Sequence, residues 1–196
     1  MLVGILGGGQ LARMLALAGH PLGLRFRVLD PAERPAAAAV ALHLCGFYDD
    51  PVALGRFAAG LGVCTYESEN VPVEATAYIE RRLPLSPSAQ TLARTGDRLA
   101  ERELLRRLEL PIAPFAAVDA LEDLPAALLQ VGLPAVLKRR RHGYDGRGQQ
   151  LLRSLCESGL VRAWRDVGGG PAIVERHVPF TRELALLAVR GRDGEA

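Results

Sequence analysis

Apolar positions along the first hundred residues alternate between short unbroken runs and longer amphipathic stretches. This is the pattern of βαβ units that build a parallel sheet. Leu2–Leu6 predicts a buried strand, and after Gly7-Gly8-Gly9 the period changes to that of a helix from about Gln10 to Ala18. Arg25–Asp30 predicts a second strand ending on an acid, Ala41–Leu44 a weaker third, and Val63–Tyr66 the next. Asp50-Pro51 supplies an N-cap followed by proline at the first helical position, which starts a helix running to about Ala59. The loop Glu67–Pro72 opens from the Val63–Tyr66 strand and leads into a helix reaching about Arg82.

Pro84 and Pro87 interrupt this pattern, and two helices follow, near Ser88–Ala93 and Asp97–Leu108. The second carries Leu99, Leu104, Leu105 and Leu108 on one side. Glu109–Pro114 reads as a connector between domains. After it the pattern predicts a helix over Leu121–Val131 stopped by Gly132, a strand over Ala135–Arg139 and a glycine-broken loop. A strand near Gln149–Leu152, a helix over Ser154–Val167 and a strand over Ala172–Glu175 complete the unit. Alternating Leu and Ala over Arg182–Val189 predict a last strand, and Asp193-Gly194 is a hairpin signal with two residues after it. A hairpin without a returning strand leaves an edge unpaired, so the expectation is of a chain cut short. The fold class is α/β, without internal repeats or low-complexity tracts.

Composition narrows the function classes. The 196 residues are 49% hydrophobic and 23% charged, enough apolar surface to offset the entropy of ordering and to exclude intrinsic disorder. No apolar run approaches the roughly 18–20 residues that span a bilayer, and Met1–Leu6 lacks the basic region of a signal peptide, so no membrane partner is expected. A net charge of +2 gives no bulk case for nucleic acid. Cys45, Cys64 and Cys156 are widely spaced and odd in number, which argues against a disulfide framework or zinc site and fits a reducing cytoplasm. Of the 24 basic residues only Lys138 is a lysine, and Asn70 is the only asparagine. In a chain so biased toward arginine, a single retained lysine points to chemistry.

Gly7–Ala12 matches G-x-G-x-x-A between a strand and a helix. Backbone N–H groups of such a turn, with the helix N-terminus, favour an anion, and Asp30 stands where a dinucleotide fold holds a ribose hydroxyl. A dinucleotide, another phosphate ligand, or simple packing of a tight turn all fit, and a nicotinamide-dependent oxidoreductase is one reading.

The stretch Val136–Gln149 says more. A strand delivers Lys138, then Arg139-Arg140-Arg141-His142, and then three glycines within six residues make a backbone-exposing loop. Lysine as a point charge and arginine as a forked donor suit a polyphosphate. The loop is not a Walker A motif, because no Gly-Lys-Ser/Thr opens a helix. A solvated basic face is the bland alternative. Single-stranded RNA is another, though one aromatic makes a thin stacking platform.

Gly7–Met14 (GGGQLARM), Thr65–Pro72 (TYESENVP), Asp97-Arg98, Lys138–Arg140 with Gly143–Gln149 (GYDGRGQ), and Ile173–Glu175 occur in an order and spacing that resemble one ATP-grasp family. That family is the N5-carboxyaminoimidazole ribonucleotide synthetases of purine biosynthesis, and the resemblance runs over essentially the whole chain. It implies a Rossmann-like pre-ATP-grasp domain over residues 1–107, a central ATP-grasp lid over 108–178, and the start of a C-terminal subdomain over 179–196. It also implies an ATP-dependent ligase that activates bicarbonate as carboxyphosphate and carboxylates 5-aminoimidazole ribonucleotide. Homodimerisation is implied for the full-length form, and catalytic silence for these 196 residues alone. The sister formate-dependent glycinamide ribonucleotide transformylase is the nearest alternative.

Residue by residue, the resemblance gives ATP to Arg98, Lys138, the loop Gly143, Tyr144, Asp145, Gly146, Arg147, Gly148 and Gln149, the hinge Glu175, Arg176, His177 and Val178, and Glu183 at the ribose. Tyr144, Asp145 and Arg147 are the implied catalytic groups, facing carboxyphosphate and the imidazole. Gly8, Gly9, Gln10, Leu11, Tyr66 and Glu67 would form the ribonucleotide side. Mg2+ is implied as well, held by an acid and an Asn-containing motif that fall beyond residue 196. Two departures stand out: Arg141-His142 replaces smaller residues before the loop, and Glu101-Arg102 falls where a lysine is common.

Overall fold

The computed structural model describes residues 1–143 and 146–191. Its first half contains β1 (Leu2–Leu6), α1 (Gln10–Gly19), β2 (Arg25–Asp30), β3 (Leu42–Cys45), α2 (Pro51–Ala58), β4 (Val63–Tyr66), α3 (Val73–Glu80), α4 (Ala89–Thr95) and α5 (Arg98–Arg107). The second half contains β5 (Phe115–Val118), α6 (Leu124–Val131), β6 (Ala135–Arg139), β7 (Gln149–Leu152), α7 (Glu157–Asp166) and β8 (Ala172–Arg176).

The first four strands form a parallel sheet in the order β3-β2-β1-β4. The short strand β1 is apolar on both sides because helices cover both faces of the sheet. Val3 and Ile5 pack with Ala12, Ala16, Phe26 and Val28 on one face. Leu6 packs with Leu29, Phe57, Cys64 and Ile79 on the other. The chain after α3 passes alongside β4, where Cys64 N–H donates to the Pro84 carbonyl and Ser86 N–H to the Cys64 carbonyl. Helix starts follow the capping residues: Asp50 accepts from Val52 N–H at 2.8 Å, and Ser88 from Thr91 N–H at 3.1 Å.

The second sheet is antiparallel, ordered β5-β8-β6-β7. Val118, Leu137, Ala172 and Val174 project from one face onto Leu124 and Leu128 of α6 and Leu160 of α7. Burying one such leucine contributes about 1.5–3 kcal/mol. The register pairs Lys138 with Ile173 and Val136 with Glu175, so Lys138 and Glu175 share the opposite face.

Two expectations need correction. Phe115–Val118 is a strand, although nothing in its alternation marks it as one. The strand expected over Arg182–Val189 is absent: these residues carry no regular structure, and Leu184, Leu186, Leu187 and Val189 are exposed. Alternating apolar residues become a strand only when a neighbour accepts their backbone hydrogen bonds, and no described segment does so here. The region around Asp193-Gly194 lies outside the described residues. No helix among the described residues is long and apolar enough to cross a membrane.

Candidate nucleotide and ribonucleotide site

Asp97 joins the two halves of the molecule. As N-cap of α5 its carboxylate accepts from Leu99 N–H at 2.9 Å and Ala100 N–H at 3.3 Å. The same group receives the Arg140 guanidinium at 2.9–3.2 Å and Arg141 Nε at 3.3 Å. Burial by itself would raise this carboxyl, but the Arg140 hydrogen bond and charge and the two helix amides outweigh it and hold it below its usual range.

The next residue, Arg98, reaches the opposite way. Its guanidinium donates to the carbonyls of Arg139 at 3.0 Å and Gly143 at 2.7 Å, and its own N–H donates to the Arg140 carbonyl. Arg98 thus ties the start of the glycine loop to the first helical turn of α5. The loop's far end is closed by Arg139 N–H donating to the Gly148 carbonyl at 2.9 Å. Gly148 has φ +69°, and a Cβ there would overlap the Arg139 side chain. Tyr144 and Asp145 lie outside the described residues; Gly146 and Arg147 are exposed at the loop's tip, and Gln149 starts β7.

Lys138 Nζ lies 2.6 Å from Glu175 Oε2, and Arg102 Nε lies 2.9 Å from Glu175 Oε1. Burial pushes the Glu175 carboxyl up, but hydrogen bonds and charge from Lys138 and Arg102 prevail and keep it below its usual value. Beyond Glu175 the chain stays tied to the sheet, since Arg176 N–H donates to the Pro114 carbonyl and His177 N–H to the Pro134 carbonyl. The Arg176 guanidinium donates to the Val131 carbonyl at the end of α6. Val178 and Glu183 are exposed.

On the first sheet, the glycine turn is engaged internally. Gly8 N–H donates to Asp30 Oδ2 at 2.8 Å and Gly9 N–H to Glu67 Oε2 at 2.6 Å. A Cβ on Gly9 would overlap the Glu67 carboxylate, which is why the turn needs glycine there. The second Asp30 oxygen accepts from Ala32 N–H at 2.8 Å. Gln10 and Leu11 are exposed on the first turn of α1.

A cavity of about 470 Å³ opens between the halves, lined by Tyr66, Glu67, Arg98, Arg140, Arg141 and Gly143 among others. The structure therefore brings Tyr66, Glu67, Arg98 and Gly143 into one space. Gly8–Leu11, Lys138, Glu175 and Glu183 do not line it. Two contributors were not legible as site residues in the sequence: Asp97, visible only as half of an Asp-Arg pair, and Arg102, visible only as a replacement for lysine. His142, in the left-handed region at φ 59°, also meets the sole asparagine, with Nδ1 3.0 Å from Asn70 Oδ1.

Comparison with known proteins agrees with this architecture. Residues 1–95 match the model of the ribonucleotide synthetase pre-ATP-grasp domain and residues 103–196 that of the ATP-grasp domain. N5-carboxyaminoimidazole ribonucleotide synthase of Pseudomonas aeruginosa is 44% identical over 195 residues, covering 100% of this chain and 54% of the relative. The crystal structure of the Thermus thermophilus synthetase superposes with a TM-score of 0.87 at 51% identity, over 98% of this chain and 51% of that one. Over essentially its whole length the chain is similar to N5-carboxyaminoimidazole ribonucleotide synthetases. It spans about half the length of the curated relatives it matches. A further solved structure, N5-carboxyaminoimidazole synthase from Aspergillus clavatus in complex with ADP and 5-aminoimidazole ribonucleotide, has a TM-score of 0.78 at 26% identity over 92% of this chain and 47% of its own.

Proposed function

We propose that these residues form the nucleotide lid and the ribonucleotide-side wall of an ATP-dependent ligase that carboxylates 5-aminoimidazole ribonucleotide with bicarbonate. The observation that carries the reading is the arrangement around the glycine loop. Lys138 and Arg98 flank a backbone-exposing turn on the face of the second sheet away from its helices, and Glu175 stands at the start of the hinge. The ATP and ADP complexes of family structures support a nucleotide here. The Aspergillus clavatus complex supports 5-aminoimidazole ribonucleotide on the facing side.

Bicarbonate is a poor electrophile until one oxygen becomes a leaving group. Transfer of the terminal phosphoryl group of ATP to bicarbonate gives carboxyphosphate and ADP. The amine of the ribonucleotide then attacks the carboxyl carbon, losing a proton, and phosphate departs. Positioning and charge stabilisation dominate such a step. The Lys138 ammonium and the loop amides would neutralise the phosphates, with Arg98 fixing the loop's base and Arg147 at its tip. Asp145 is proposed to orient or deprotonate the amine, Tyr144 to face the imidazole, and Tyr66 with Glu67 to line its pocket. Glu175–Val178 would hold the adenine and Glu183 the ribose.

Among the described residues no three His, Cys, Asp or Glu side chains converge in a way that could hold a metal ion. The whole-chain similarity to ribonucleotide synthetases disfavours the dehydrogenase alternative.

The test is ATP turnover by a polypeptide of the relatives' full length carrying these residues. Hydrolysis that requires both bicarbonate and 5-aminoimidazole ribonucleotide is the expected result. Equal turnover without the ribonucleotide refutes the assignment, and dependence on formate and glycinamide ribonucleotide transfers it to the sister enzyme.

A further inference from the structure

We propose that Arg102 is a place-holding cation, which keeps the buried Glu175 carboxylate neutralised while the Lys138 ammonium turns from it toward a nucleotide phosphate. This rests on the reading of Lys138 as a phosphate-binding residue and adds to it a determinant that never touches the nucleotide.

The geometry separates the two cations. Lys138 takes Oε2 of Glu175 and Arg102 takes Oε1, so either bond can be lost without disturbing the other. Only 8% of the Glu175 side chain is exposed, against 22% for Lys138 and 25% for Arg102. The carboxylate cannot find water if both partners leave, whereas the cations can. An ionised carboxylate left buried and unpaired is costly enough that Lys138 is held in place unless another charge remains.

Which cation moves follows from their chemistry. Lysine is a point charge on a flexible stem with three rotatable donors, and it can exchange one oxygen anion for another by bond rotation. Arg102 is fixed at two points: Nη1 donates to Glu101 Oε2 at 3.0 Å while Nε holds Glu175. Its helix, α5, is anchored in turn through the Asp97 cap. Lys138 is therefore the mobile partner and Arg102 the stationary one. Removing Arg102 should leave Lys138 as the sole counter-ion of Glu175 and withhold it from the phosphates.

The experiment measures binding of the non-hydrolysable β,γ-imido analogue of ATP and of adenosine, in the full-length polypeptide. Arg102→Ala is expected to weaken the triphosphate about tenfold, the equivalent of one charge-assisted hydrogen bond, and to leave adenosine unchanged. Arg102→Lys should retain most of the affinity. In a Glu175→Gln background, Arg102→Ala should no longer weaken the triphosphate relative to Glu175→Gln alone, because a neutral amide does not detain Lys138. Equal weakening of both ligands by Arg102→Ala, or an undiminished effect of Arg102→Ala in the Glu175→Gln background, marks a structural role and overturns the proposal. Lys138→Ala is the control that separates the two claims. If it binds the triphosphate as well as the parent, the phosphate role of Lys138 is wrong. If it loses affinity while Arg102→Ala does not, the place-holder alone is wrong. Should Arg102→Ala fail to fold, Arg102→Gln removes the charge while keeping a donor and is read in the same way.

Discussion

The Asp97 carboxylate holds Arg140 Nε at 3.0 and 3.2 Å and Arg140 Nη2 at 2.9 Å while capping α5, so one buried side chain joins the helix carrying Arg98 and Arg102 to the strand carrying Lys138. Asp97→Ala should lose both the cap and the ion pair. A destabilisation of about 3 kcal/mol is expected in urea unfolding, since the arginine keeps some solvent. Asp97→Asn retains a capping oxygen and should cost about half of that. Equal stability of all three proteins would contradict the joint.

The two buried, ion-paired carboxylates predict how stability depends on pH. Asp97 and Glu175 are both held below their ordinary values of 3.8 and 4.5 in the folded chain. A depressed carboxyl contributes stability that is present above its unfolded value and is lost as pH falls through its folded one. Unfolding free energy should therefore decline from about pH 4.5 downward. Asp97→Asn should flatten that decline, as measured by denaturant midpoints at several pH values.

Thiol reactivity offers an independent check on packing. Cys64 is fully buried, and burial pushes its thiol up to about 12. Cys156 is exposed at the start of α7, where the Ser158 hydroxyl and helix amides lower its value, and Cys45 is exposed. An aromatic disulfide reagent should modify Cys156 first and Cys45 next. Cys64 should react only on unfolding. Prompt reaction at all three would mean the first sheet is packed differently.

Backbone geometry predicts a further effect. Gly148 lies at φ +69° beneath the Arg139 side chain. Gly148→Ala should destabilise the chain by about 1–2 kcal/mol through the left-handed Cβ penalty, and should displace the loop's closing hydrogen bond. The same substitution should weaken nucleotide binding more than it weakens folding.

Much of this fold was legible because local rules and tertiary needs agreed. The Asp50-Pro51 and Ser88 helix starts, the β1–α1 turn and the Ala135–Arg139 strand all emerged where periodicity and capping pointed. The short strand β5 did not, because Phe-Ala-Ala-Val is only four residues long with two alanines at its centre, and it is fixed as a strand by pairing with β8. Arg182–Val189 had the opposite history: a strong pattern without a pairing partner. Among site residues, Lys138 stood out as the single lysine, but its partner Glu175 lies 37 positions away across an antiparallel register. Asp97 and Arg140 are 43 positions apart. Such pairings are made by topology, and no local spacing encodes them.

The central claim is that Lys138 meets the phosphates of ATP, and as the only lysine of these 196 residues it can be followed on its own peptide. The acylation rate of Lys138 by an amine-reactive ester, followed by mass spectrometry in the full-length polypeptide, should fall several-fold at saturating ATP and stay unchanged with NAD. An unaltered rate with ATP, or protection by NAD instead, would contradict the account.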